Sequence, residues 1–199
     1  MIKEIEVKSK KIKTFSRKIG NFERGSDFPF KNVHHWYKST TLHLSFIPNE
    51  YQKEGFIEKI FIHLSSSKTY LINPDTKEKQ KFQNPEWIKI RVRCLNVSAN
   101  RTPYKDISYN NIIVKIDKYK SQWIGISDYH IPFPKDGAFV GVEVLELKGR
   151  ENWGWGNVSF PVFKRSKNVV PDYVHTGNNK FIPMKGFCNF GAEVSFVKE

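Results

Sequence analysis

Two tryptophans two residues apart, each followed by glycine, stand in Glu151-Asn-Trp-Gly-Trp-Gly-Asn157. On a strand, Trp153 and Trp155 would share one face and Gly154 and Gly156 the other. Sugar rings present apolar C–H faces on which exposed indoles stack, and bare backbone lets a neighbour come close. The same pair would also serve as core, because tryptophan buries a large area and needs one partner for its indole N–H. Both readings stand on the sequence: packing between sheets, or a platform for a ligand. Trp36 and Tyr37, in His34-His35-Trp36-Tyr37 ahead of a strand, are a second aromatic pair near a turn. Trp87 and Trp123 begin alternating runs and read as the edge of the core.

Other chemistry-bearing residues form weaker patterns. The six histidines (34, 35, 43, 63, 130 and 175) make no HExxH or other close metal spacing. His43 and His63 sit in alternating runs and read as ordinary strand residues. No metal site and no cofactor is expected. Ser65-Ser-Ser-Lys68, Ser108-Tyr-Asn110 and His175-Thr-Gly177 follow the order of the motifs of penicillin-binding enzymes. That chemistry needs the first serine at a helix start, with the lysine one turn on. Here the serine ends a strand and enters a turn, so the match reads as coincidence. No GxSxG, P-loop or GxGxxG is present. Cys94 and Cys188 make no disulfide framework; they pair once or stay as thiols, and Cys94 reads as a small buried hydrophobe. Three N-x-S/T sequons occur, at Asn96, Asn100 and Asn157, and they matter only in a eukaryotic secretory pathway.

Thirty-three Lys and Arg against 20 Asp and Glu give a formal net charge of +13. A balance of this sign raises nucleic acid, anionic polysaccharide and anionic membrane as partners. The lysines are spread along the chain, however, and mostly alternate with apolar residues, as on the outward faces of strands. No apolar stretch reaches the ~18 residues of a transmembrane helix. The start, MIKEIEVKSKKIK, alternates and lacks the apolar region of a signal peptide. The chain is therefore intracellular, or a mature or trimmed piece of an exported protein.

These side chains must be positioned by strands, because period two dominates. In Trp87-Ile-Lys-Ile-Arg-Val-Arg-Cys94, Ile88, Ile90, Val92 and Cys94 share one face, and Lys89, Arg91 and Arg93 the other. Thr40–Phe46, Phe56–Leu64 and Asn111–Ile116 read alike. Ala138–Leu147 is apolar on both faces, as in a central strand. Weaker runs are Ile12–Ile19, Trp123–Ser127, Val158–Phe163 and Gly191–Val197. Turn residues separate nearly all of them, and the best helical candidate is a turn near Ser127–His130. Eight or nine short strands predict an all-β, antiparallel β-sandwich of jelly-roll type. Residues 1–10 read as an exposed basic arm or linker, and 11–199 as a single sandwich domain.

The order of segments is itself informative. Glu4-Ile-Glu-Val-Lys-Ser-Lys-Lys11 leads to Lys18-Ile-Gly-Asn-Phe22, Phe46-Ile-Pro-Asn49 and Gly55-Phe-Ile-Glu-Lys-Ile-Phe61. Ile88–Arg93, Asn110–Lys115, Trp123–Ser127 and Ile131–Glu143 follow. Over roughly residues 4–145 this resembles the β-sandwich region that follows a carboxypeptidase-regulatory-like domain in exported or envelope proteins of Bacteroidetes. The resemblance is one of strands and turns and contains no catalytic signature. It implies the C-terminal part of a longer exported protein of the periplasm or cell envelope, with no peptidase activity and no zinc ligands.

The sequence expectation is thus a non-catalytic binding or structural module with a glycan or other envelope-surface ligand. Trp153, Trp155, Trp36 and Tyr37 would stack on it, and Arg91 and Arg93 would make polar contacts. The alternative is a basic protein that binds nucleic acid or another polyanion.

Overall fold

The computed structural model describes residues 13–20, 31–36, 42–64, 70–72, 79–81, 85–148, 157–164, 170–175, 180–184, 186–187 and 190–198. For 31–36, 70–72, 79–81, 157–164 and 186–187 only the backbone is used. The basic run at residues 1–10 lies outside the described residues.

In chain order the strands are β1 (Thr14–Ile19), β2 (Lys31–Trp36), β3 (Leu42–Ile47), β4 (Gly55–Ile62), β5 (Tyr70–Ile72) and β6 (Lys79–Lys81). They continue with β7 (Trp87–Val97), β8 (Pro103–Asp106), β9 (Ile112–Ile116), β10 (Gln122–Gly125), β11 (Ile131–Phe133) and β12 (Ala138–Lys148). The last are β13 (Asn157–Lys164), β14 (Tyr173–His175), β15 (Phe181–Pro183), β16 (Gly186–Phe187) and β17 (Gly191–Val197). The turn expected near Ser127–His130 is a 3-10 helix over Ser127–Tyr129, closed by His130 in the left-handed region.

Eight of these strands carry the topology. β1 pairs with β17, β3 with β12, β4 with β10 and β7 with β9, all antiparallel. The first of the eight meets the last, the second meets the next to last, and so inward, as in one long hairpin. Rolling that hairpin sets β17 against β4 and β12 against β7. The strands then divide into two sheets, β1-β17-β4-β10 and β3-β12-β7-β9. This nested pairing is a jelly-roll sandwich. All eight strands overlap runs read as strands in the sequence, β12 as the run apolar on both faces and β1, β10 and β17 as weaker runs.

The expected strand count needs correction. The two sheets hold twelve strands, not eight or nine. β11 pairs with β4, β8 with β7, and β14 and β15 extend the larger sheet beyond β3. Each of the four is three or four residues long, too short to display a period of two. Two small sheets, β16-β13-β2 and β5-β6, complete the described pairings.

The main core fills the space between the sheets. From the larger sheet come Ile88, Ile90, Val92 and Cys94 of β7 and Ala138, Val140, Val142 and Val144 of β12. From the smaller come Ile57, Ile60 and Ile62 of β4 and Ala192, Val194 and Phe196 of β17. Each larger aliphatic or aromatic side chain buried this way contributes about 1.5–3 kcal/mol. A second apolar cluster, Leu42, Leu44, Leu95, Phe139 and Tyr173, lies on the outer side of the larger sheet. Partly buried Val170 and Phe181 pack on it, so β3 is covered on both faces.

A buried polar group ties that cover to the sandwich. Ser45 Oγ donates to Asp172 Oδ2 at 2.6 Å and accepts the Phe190 N–H at 3.2 Å. One hydroxyl thus joins β3, the residue before β14 and the residue before β17. Close backbone packing fixes two glycines. Gly137 has φ +87°, and a Cβ on Gly141 would overlap the His43 carbonyl oxygen across the β3–β12 pair.

Gly141→Ala is therefore expected to cost at least about 1–3 kcal/mol, as overpacking does when the obstacle is backbone. Ser45→Ala is expected to cost about 1–3 kcal/mol through its lost buried hydrogen bonds. Urea-unfolding midpoints of the two variants and the parent check both.

Candidate functional site

On β7 the alternation that buries Ile88, Ile90, Val92 and Cys94 turns Lys89, Arg91 and Arg93 outward. The register with β12 then sets their partners. Arg91 lies opposite Glu143, and Lys89 opposite Glu146 beyond a register shift after Val144. Arg91 Nη1 meets Glu143 Oε2 at 3.1 Å, and Lys89 Nζ meets Glu146 Oε2 at 3.2 Å. Arg93 Nε pairs with Asp106 Oδ2 on the adjoining strand β8. Asp106 also accepts from the backbone N–H and the hydroxyl of Ser108, which fixes its carboxylate. On this outer face the two arginines predicted for polar contacts are neighbours, and each is held by a carboxylate.

Each of these partly exposed pairs is worth only about 0.2–1 kcal/mol. Their consequence is geometric: donors and acceptors alternate in fixed places on rigid strands. The Arg91–Glu143 bond spends one of five guanidinium N–H donors. The Arg91 Nε–H is shielded and meets no acceptor, an uncommon state for a buried donor.

Apolar side chains border this polar strip. On β9, Ile113 stands opposite Arg91 and Lys115 opposite Lys89. Two like charges facing each other would repel, but the Lys115 ammonium turns to Asp117 at 2.8 Å and lies 5.1 Å from the Trp87 ring centroid. Tyr104 on β8 is exposed, with the Lys105 ammonium over its ring. Toward β3 the strip ends at bare Gly141, and beyond it the face is closed by the cluster around Phe139 and Tyr173.

The two tryptophans expected at the core edge are half-buried on outer faces. Trp87 is on the strip just described. Trp123 is on the outer face of the smaller sheet, 5.2 Å from the Phe61 ring and beneath the Lys18 ammonium at 5.3 Å. Trp36 ends β2, directly opposite Asn157 of β13. That pairing joins the residue before Tyr37 to the last residue of ENWGWGN. Trp153, Trp155 and Tyr37, with the side chain of Trp36, lie outside the described residues. The β2–β13 ribbon belongs to the three-stranded sheet and, among the described residues, shares no strand pairing with the arginine face.

The penicillin-binding pattern does not assemble. Ser108 follows β8 at one edge of the larger sheet, and His175 belongs to β14 near the other, with β3, β12 and β7 between. At ~4.8 Å per strand they stand well beyond contact; Ser65 and Lys68 lie outside the described residues. His43 and His63 are buried. Among the described residues no three His, Cys, Asp or Glu gather in a metal-binding group.

Glu143, Glu146, Asp106 and Tyr104 are the site residues that sequence reasoning missed. The outward phase of Glu143 was the available signal, but its partner depends on register. No protein-family model, curated protein or solved structure matches this chain.

Cys94 lies directly beneath this face. Burial raises its thiol well above the ordinary range, the Asp106 charge adds to the rise, and Arg93 opposes it. A neutral, enclosed thiol is a poor nucleophile. In a Cys188→Ser protein, Cys94 is expected to resist a disulfide reagent in the folded state and to react once the protein is unfolded. Absorbance of the released thiolate checks this.

Proposed function

We propose that this jelly roll is a non-catalytic binding module for carbohydrate, carried by an exported protein of the bacterial envelope. The observation that carries the reading is the charge-balanced row Glu143–Arg91 and Asp106–Arg93, partly exposed on the outer face of one sheet. Sugar hydroxyls each donate and accept hydrogen bonds, so they are matched by guanidinium and carboxylate groups alternating at fixed positions. Rigid strands hold those groups before a ligand arrives, which lowers the ordering cost of binding. Jelly rolls include lectin domains, and that support is one of fold analogy alone. The envelope location rests on the order of segments described for the sequence.

In this reading Arg91 and Arg93 supply polar contacts, with Glu143 and Asp106 as acceptors. Trp153, Trp155, Trp36 and Tyr37 supply stacking, and the Trp36–Asn157 pairing favours their acting at one ribbon end. The excess of basic residues favours a second reading, in which the protein binds nucleic acid or another polyanion. The arginine face argues for the first, because its cations already have carboxylate partners.

Titration of tryptophan fluorescence against a panel of bacterial and host polysaccharides tests the proposal. A saturable shift is expected for at least one glycan, with little dependence on salt. Arg91→Gln/Arg93→Gln should weaken it about tenfold or more, the scale of one or two lost charge-assisted hydrogen bonds. Trp153→Ala/Trp155→Ala, checked for folding by circular dichroism, should reduce the shift further. Binding of polyanions alone, falling steeply with salt, would replace this reading with the second.

A further inference from the structure

An antiparallel sheet leaves unpaired N–H and C=O groups along its outermost strands, and natural proteins blunt such edges with charge, proline or short length. The two sheets here have four edges, and three are blunted. On β1, Ser16, Arg17 and Lys18 are exposed. On the other side of the smaller sheet, β10 is four residues long and β11 contains Pro132. In the larger sheet, β15 has three residues and ends in Pro183.

The fourth edge differs. β9 reads Ile112-Ile-Val-Lys-Ile116 and, among the described residues, pairs only with β7. Four of its five residues are β-branched, with no proline. Ile113 is 44% exposed, and Tyr109 in the loop before it is 91% exposed. Its one charge, Lys115, is paired with Asp117 at 2.8 Å and lies over Trp87, on the strand's own sheet.

We infer that β9 is an assembly edge, and that its occupant is β9 of a second copy of this chain, paired antiparallel about a two-fold axis. The sequence is self-complementary in that arrangement. Centred on Val114, Ile112 faces Ile116 of the second copy and Ile113 faces Lys115, so no like charges meet. The contact is isologous, the commonest kind in soluble oligomers. It would join the two larger sheets edge to edge and set the two arginine faces side by side. The inference depends on the edge strands and stands apart from the glycan reading.

Sedimentation of the full chain across a concentration series, without glycan, tests it. The parent is expected to form a dimer, and Ile113→Lys to be monomeric at every concentration with its circular dichroism unchanged. Ile182→Lys, at a residue 50% exposed on the proline-ended β15, should leave the dimer intact. A second readout needs no variant: amide exchange within Ile112–Ile116 should slow as protein concentration rises. A parent that stays monomeric, a dimer indifferent to Ile113→Lys, or concentration-independent exchange across β9 would each overturn the inference.

Discussion

In the pairing of β7 with β12, Val92 faces Val142 and Arg91 faces Glu143. These are consecutive positions on two eleven-residue strands at the middle of the larger sheet. The first pair is sealed in the core, and the second is on the outer face. One register therefore fixes both what the sandwich buries and what it presents. A slip of a single residue would drive Lys89, Arg91 and Arg93 into the core and expose Ile88, Ile90 and Val92. The cost of burying unpaired charge makes such a slip prohibitive. The outer ion pairs need not be strong, because the apolar face already sets the register and the charges follow it.

That division explains which parts of the structure were legible in the sequence. Seven strands of the rolled hairpin (β1, β3, β4, β7, β9, β12 and β17) have five or more residues and show in the chain as alternating or, for β12, doubly apolar runs, and the four-residue β10 shows only within the weaker run Trp123–Ser127. β8, β11, β14 and β15 do not. They are short, two of them contain proline after their first residue, and their pairing is dictated by neighbours already in place. The outward phase of Arg91 and Arg93 was legible for the same reason that β7 was. Glu143 and Asp106 as their partners were not, because cross-strand neighbours belong to register and topology. β3 shows a further limit. Its alternation suggests one buried face, yet Leu42, His43, Leu44 and Ser45 are all buried, because β14 and the residues around it cover the second face.

Charge behaves in a related way. The total of +13 is a property of the chain, whereas recognition depends on local balance. Among the described residues, six lysine or arginine side chains have a carboxylate within 4 Å, from Lys59–Glu193 on the smaller sheet to Arg93–Asp106 on the larger. Lys18 and Lys115 also lie over indole rings. Cations held in these ways keep their hydrogen-bond donors in fixed places while adding little to a long-range attractive field. That local balance is what supports the proposed carbohydrate reading, beside a total charge that favours the polyanion reading.

The limit of the open face traces back to the buried hydroxyl of Ser45. Asp172 immediately precedes Tyr173, the first residue of β14, and the two side chains go to opposite sides of the sheet. Asp172 reaches inward to Ser45, while Tyr173 turns outward and packs edge-on against Phe139, their ring centroids 5.5 Å apart. The inner hydrogen bond therefore pins the strand whose outer side covers Leu42, Leu44 and Phe139. With that half closed, the exposed part of the sheet narrows to β7, β8, β9 and the outward carboxylates of β12. A polar contact inside the sandwich thus decides how much of its outer surface remains available to a ligand.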